Sequence, residues 1–136
     1  MTIKEYLSQA LLLDHMIQGK ILLSEDLNRQ AMQCGIGASP GSAGIYAHLS
    51  ALEAEINADI DRLVALKQKL YALIEGIPDL RERTLLELRY LSSENGKRLT
   101  WAQIAQILCY DERWVMRLHL RALKSAEKVW KQLDEK

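Results

Sequence analysis

The chain is short of the residues that punctuate, cross-link or anchor a protein: two prolines, two cysteines and seven glycines in 136 residues, and no net charge. Cys34 and Cys109 stand alone and far apart. They form no disulfide framework and suit a reducing compartment. No stretch approaches the roughly 18 uncharged apolar residues of a membrane helix, so no membrane partner is expected. The opening MTIKEYLSQ has no basic start before an apolar run, so no secretory signal is expected, and the location reads as cytoplasmic. No run alternates apolar and polar residues as a strand would, which points to an all-α fold. His15, His48 and His119 are scattered and lack metal-ligand spacing with the cysteines. There is no phosphate loop, no dinucleotide-binding glycine signature and no nucleophile elbow. No catalytic residue, metal or cofactor is expected, and no enzyme.

Apart from Gly19, what glycine and proline there is falls in three places. Residues 35–44, GIGASPGSAG, hold four of the seven glycines and read as a loop. Gly76-Ile77-Pro78 is the second break and Ser92–Lys97, SSENGK, the third. The zero net charge also conceals an asymmetry. Residues 1–76 carry six basic and nine acidic side chains, while residues 77–136 carry twelve and nine. A basic half suits nucleic acid. The expected division is a long-helix hairpin or oligomerisation region over 1–76 and a DNA-binding domain over 77–136.

Between breaks the residues are helix formers. The first helix is expected over about 2–33, with Ile3, Tyr6, Ala10, Leu13 and Ile17 at 3-4 spacing and Leu27, Ala31 and Cys34 resuming it. The second is expected over about 45–75, on Leu49, Leu52, Ile56, Leu63, Leu66, Leu70 and Leu73. So sustained a stripe reads as a coiled-coil-like face, paired with the first helix folded back or with another subunit. Asp59 interrupts the seam, either tilted to solvent or as a polar device that fixes register. Three shorter helices follow at about 79–92, 100–108 and 112–132. Thr100 with Gln103 forms a capping box, and Asp111 is an N-cap. The link from Cys109 to Asp111 is so short that it forces a sharp crossing, the geometry of a helix-turn-helix.

The last helix sorts cleanly by angle. At about 100° per residue from Arg113, the side chains of Arg113, Arg117, Arg121, Lys124, Lys128 and Lys131 fall within an arc of roughly 80°. Val115, Leu118, Ala122, Ala126, Val129 and Leu133 lie opposite. Solvated helix faces usually mix charges of both signs; here the one acid near the stripe is Glu127. A helix fits the major groove with its N-terminal turns nearest the base edges. Glu112, Arg113, Met116 and Arg117 are therefore the candidates for base readout. Met116 has two readings, a thymine-methyl contact or a cover for the core edge. Arg98, Thr100, Arg121, Lys124, Lys128 and Lys131 are the candidates for phosphate contact. His119 reads as a packed or hydrogen-bonded flank residue or else a phosphate or partner contact, and Trp101 as core. Trp114 is either a buried wedge or a DNA-side contact, and Trp130 either covers the end of the core or meets a second subunit.

The strings LRERTLLELRYL, RLTWAQIAQIL and DERWVMRLHLRALKSA, in that order over about residues 78–126, resemble region 4 of the bacterial sigma-70 factors. Trp101 after Thr100 and His119 in the L-H-x-x-A-L string are similar to the RinA/ArpU-like late-transcription regulators of phages and prophages of Gram-positive bacteria. The resemblance implies a small regulator in a bacterial host cell, with a helical N-terminal part before a sigma-like end. It implies promoter readout through Glu112, Arg113, Met116 and Arg117. Nothing resembles sigma region 2, so a complete sigma factor is not expected, and Cys109-Tyr110 stands where such turns often carry glycine.

The expected function is sequence-specific, double-stranded DNA binding by a regulator of phage late genes, dimeric through its long helices, with host RNA polymerase as a further candidate partner. Two alternatives stand beside it. One is a small terminase-like packaging protein, which would form rings. The other is a helical adaptor that binds polymerase and not DNA.

Overall fold

The computed structural model describes residues 1–33, 40–94 and 97–134. Five α-helices account for most of them: α1 (Ile3–Gln33), α2 (Pro40–Glu75), α3 (Leu80–Leu86), α4 (Trp101–Leu108) and α5 (Glu112–Asp134). The expectation of a mostly helical chain holds. Cys34 and residues 35–39, half of the expected 35–44 loop, lie outside the described residues. The part of that loop that is described, from Pro40, is already helical. Proline suits a first helical position, where its missing N–H would have no partner anyway. Two features were not expected. The third helix ends in a π-helical segment, Glu87–Leu91. The break after it holds a two-residue antiparallel ladder, β1 (Ser93–Glu94) with β2 (Lys97–Arg98), which pairs Ser93 with Arg98. Among the described residues no helix is long and apolar enough to cross a membrane.

By their contacts the residues form two compact units, Leu13–Val64 and Met1–Leu12 with Ala65–Lys136. In the first, Ile17, Leu52 and Ile56 make a core flanked by Leu13, Ile21, Leu27 and Leu63. Lys20 Nζ donates to Asp59 Oδ2 at 2.6 Å. Lys20 lies 13 residues before the end of α1 and Asp59 19 residues after the start of α2, about 20 and 29 Å of helix. Were the two helices parallel, the link from Gln33 to Pro40 would have to span close to 50 Å, about twice the reach of seven extended residues. The pair is antiparallel.

Asp59 is buried in this hairpin, so the reading that tilts it to solvent is corrected. A buried carboxylate needs a partner. Lys20 supplies it from the other helix, with Arg62 at 3.4 Å on its own. The hydrogen bond to Asp59 holds the Lys20 ammonium above the usual lysine value. One polar pair in an apolar seam fixes register, because sliding either helix would strand a buried charge.

The second unit holds the first helical turns of α1 together with the C-terminal helices. Thr2 and Glu5 cap α1 reciprocally: the Glu5 N–H donates to Thr2 Oγ1 and the Thr2 N–H to Glu5 Oε2. Ile3, Leu7, Ala10 and Leu11 are buried, and the ring of Tyr6 stacks on Trp130 of α5 at 5.1 Å. Trp130 thus covers the end of this core. Beyond α2, Gly76 lies so close to α5 that an added Cβ would meet Val129 Cγ1 at 2.8 Å and the Leu73 carbonyl at 3.3 Å. Gly76→Ala is expected to lower stability by about 1–3 kcal/mol, the range for overpacking. Urea unfolding monitored by tryptophan fluorescence measures it; an unchanged midpoint would refute the close approach.

Candidate nucleic-acid interface

The α4–turn–α5 segment is built by local hydrogen bonds. Thr100 Oγ1 accepts from the Gln103 N–H at 3.1 Å, and Gln103 Oε1 from the Thr100 N–H at 2.8 Å, the expected capping box. Asp111 Oδ1 accepts from the Trp114 N–H at 2.8 Å and starts α5. Between them Cys109 takes φ 61°, ψ 39°, the left-handed conformation. The Tyr110 N–H donates to the Ala105 carbonyl and the Cys109 N–H to that of Gln106, which closes α4 in a Schellman turn. A non-glycine residue is strained there by about 1–2 kcal/mol. Cys109→Gly is therefore expected to stabilise the protein by about 1 kcal/mol, read as a higher denaturant midpoint; a lower one would mean that the thiol packs where the structure leaves it exposed.

Beneath the turn, Leu85, Leu99, Ile104, Ala105, Val115 and Leu118 form one core, with Trp101 and Trp114 packed on it half-buried. Trp114 is held by Tyr110, ring to ring at 4.0 Å, and by the Arg81 guanidinium at 5.5 Å, so it belongs to this packing. Arg89 donates to the Leu99 carbonyl at 2.6 Å and lies 4.1 Å over the Trp101 ring, which ties the π-helical segment to the start of α4. Burial, then the nearby Arg98, pushes the Arg89 guanidinium below the usual arginine value. His119 is buried with its Nε2 2.7 Å from the Tyr90 hydroxyl and its ring 4.7 Å from Trp101. Burial first, then Lys4, Arg89 and Arg98, lowers its pKa from 6.5 to about 4. It is therefore neutral at pH 7. Across the other side of α5, Ser125 Oγ donates to Glu82 Oε2 at 2.8 Å, and that carboxylate is buried.

This scaffold fixes which face of α5 is outside. Val115, Leu118, Ala122 and Ala126 are buried as expected and Val129 is half-buried, but Leu133, at the end of the apolar stripe, is exposed. Arg113, Arg117, Arg121, Lys124, Lys128 and Lys131 are all exposed. Among the described residues, only Lys131 of these six pairs with a carboxylate, Glu127 at 3.5 Å. Glu112 and Met116 are exposed on the first two turns beside Arg113 and Arg117, and neither is part of the core, which removes the core-edge reading of Met116. Thr100 is exposed at the start of α4, its oxygen already accepting from Gln103. Arg98 is half-buried, its guanidinium 5.5 Å over the Tyr90 ring.

No family model, curated protein or solved structure matches the chain. The reading of the site rests on its geometry. Sequence reasoning missed Leu120, 63% exposed at about −20° on the angular scale, just outside the edge of the basic arc. It also missed the Arg89, Glu82 and Lys20 contacts. Leu120 was open to the same angular sorting; the other three pair residues 10, 43 and 39 positions apart, which no local spacing reveals.

Proposed function

We propose that the chain is a sequence-specific, double-stranded-DNA-binding regulator of phage or prophage genes, working through a sigma region 4-like helix-turn-helix made of α4 and α5. The observation that carries the reading is the exposed arc of six cationic side chains along α5, opposite its buried face. Duplex DNA carries one phosphate charge per about 1.7 Å of axis, and cations that neutralise phosphates release bound counterions. Arg113 and Arg117, with Glu112 and Met116, sit on the first two turns and read base edges. Arg121, Lys124, Lys128 and Lys131 grip phosphates along the rest of the helix, with Arg98 and the Thr100 hydroxyl at the start of α4.

One such module makes few base contacts, and two-fold dimers double the site. The long-helix hairpin leaves Met16, Leu23, Ile60 and Val64 exposed, which supports self-association through this region, with host polymerase as a further partner. Selection of bound fragments from a random duplex pool tests the function. The expected result is enrichment of one motif, bound about a thousandfold more tightly than random duplex. A pool that stays random, or is never retained, would overturn the reading. Sedimentation at micromolar concentration is expected to give a dimer. A clean monomer would remove the proposed association, and a ring of eight or more subunits would favour a packaging role.

A further inference from the structure

We infer that Met116 and Leu120 form a thymine-reading strip along the edge of the basic face of α5, so that the target carries thymine methyl groups beside the bases and phosphates held by Arg113, Arg117 and Lys124. The inference rests on the DNA-binding reading above and adds to it the chemistry of the bases read.

Met116 and Leu120 are 44% and 63% exposed. They sit one helical turn apart on one edge of α5, at about −60° and −20°, while Arg113, Lys124 and Arg117 follow at about 0°, 20° and 40°. The two apolar side chains thus border the basic arc on one side, where Arg113, Arg117 and Lys124 are in no ion pair among the described residues; Glu112 lies one turn before Met116 and Glu127 is held by Lys131. Neither Met116 nor Leu120 belongs to the core beneath, whose α5 members are Val115, Leu118 and the half-buried Trp114.

An exposed leucine on a phosphate-binding face gains nothing from phosphates. Base edges in the major groove present donors, acceptors and one apolar feature, the C5-methyl of thymine. Flanking arginines and lysines draw the strip against a polyanion, which selects DNA over an apolar protein surface as its occupant. The two side chains are about 6 Å apart along the axis, close to two base-pair steps of about 3.4 Å. The strip therefore fits thymines about two steps apart, beside the bases that Arg113 and Arg117 contact.

Replacing thymine by uracil in the selected duplex removes the methyl and keeps every hydrogen bond. With the full chain, each contacted methyl lost is expected to weaken binding about fourfold, the value of one buried carbon, and two about fifteenfold. The variant carrying Met116→Ala and Leu120→Ala is expected to bind the thymine duplex as weakly as the parent binds the uracil duplex, and to treat the two alike. Both positions are exposed, so the helical circular dichroism should be unchanged. Selective binding with equal affinity for thymine and uracil would overturn the inference and leave the DNA reading intact. So would a thymine preference that survives the double substitution, or a double substitution that alters sedimentation in place of base preference. Failure to bind any duplex would instead remove the DNA reading, and the strip with it.

Discussion

Reversing two charges, with Arg113→Glu and Arg117→Glu together, is expected to weaken binding to the selected duplex at least a hundredfold. A bidentate arginine–guanine contact is worth about 1–3 kcal/mol of discrimination, and each reversal also places an anion against phosphates. Both side chains are exposed and neither is in an ion pair with a described residue, so folding should be unaffected. Substitutions at exposed sites of this kind usually change stability by under about 0.5 kcal/mol. Further along α5 the outcome differs in kind. Lys124→Ala or Lys128→Ala should weaken binding to all sequences alike and flatten the salt dependence by about one phosphate's worth. Lys131→Ala should do less, because its ammonium is shared with Glu127 at 3.5 Å. Anisotropy on the selected and a scrambled duplex separates the two patterns. Equal losses on both from the double reversal would move base readout away from the N-terminal turns of α5.

Acid is the second strong lever. In the unfolded chain His119 takes up its proton near the usual 6.5; in the folded protein it does so only near pH 4, against burial and against Lys4, Arg89 and Arg98. Between these values the unfolded state binds more protons, so stability falls as pH falls. The His119 contribution is fully present above about pH 7 and is lost through the window down to about 4, at about 1.4 kcal/mol per pH unit and about 3 kcal/mol in all. His119→Gln keeps a polar group within reach of Tyr90 and has no proton to take up. It is expected to be less stable than the parent at pH 7, since the packing on Tyr90 and Trp101 is disturbed, but to lose about 3 kcal/mol less on acidification to pH 4. The check is the difference between the two proteins' urea stabilities across that range, in which the carboxylates common to both cancel. Parallel curves would mean that the imidazole is not kept neutral by its surroundings.

The parts of the molecule legible in the sequence are those governed by short-range rules. Thr100 with Gln103 and Asp111 with Trp114 are three residues apart, and their hydrogen bonds follow from spacing alone. The 3-4 stripes located α1, α2 and α5 because burial of one helix face repeats with the helical period. Cys109 was legible in part. A three-residue turn needs a left-handed residue, and the absence of glycine left only the question of how that is met; the structure meets it with a strained cysteine at φ 61°. What the sequence hides is the partner across space. No local spacing marks out Lys20, which reaches Asp59 of α2 at 2.6 Å. The first turns of α1 continue the stripe of the hairpin without a break, yet Tyr6 stacks on Trp130, 124 positions away. No periodicity distinguishes an apolar face that meets α2 from one that meets α5. Leu133 shows the converse: it has the right angle to be buried and is exposed, because angle says nothing about where the opposing surface ends.

The central claim is that the exposed arc on α5 binds phosphates of duplex DNA. Its most direct measurement is the affinity for a duplex between about 50 and 200 mM salt by fluorescence anisotropy. The five cations assigned to phosphates, Arg98, Arg121, Lys124, Lys128 and Lys131, predict a slope of log K against log salt near −4.5, at about −0.9 per phosphate, and a loss of affinity of about five hundredfold over that range. No binding at the lowest salt, or an affinity indifferent to salt, would contradict the account and turn attention to a protein partner for the same face.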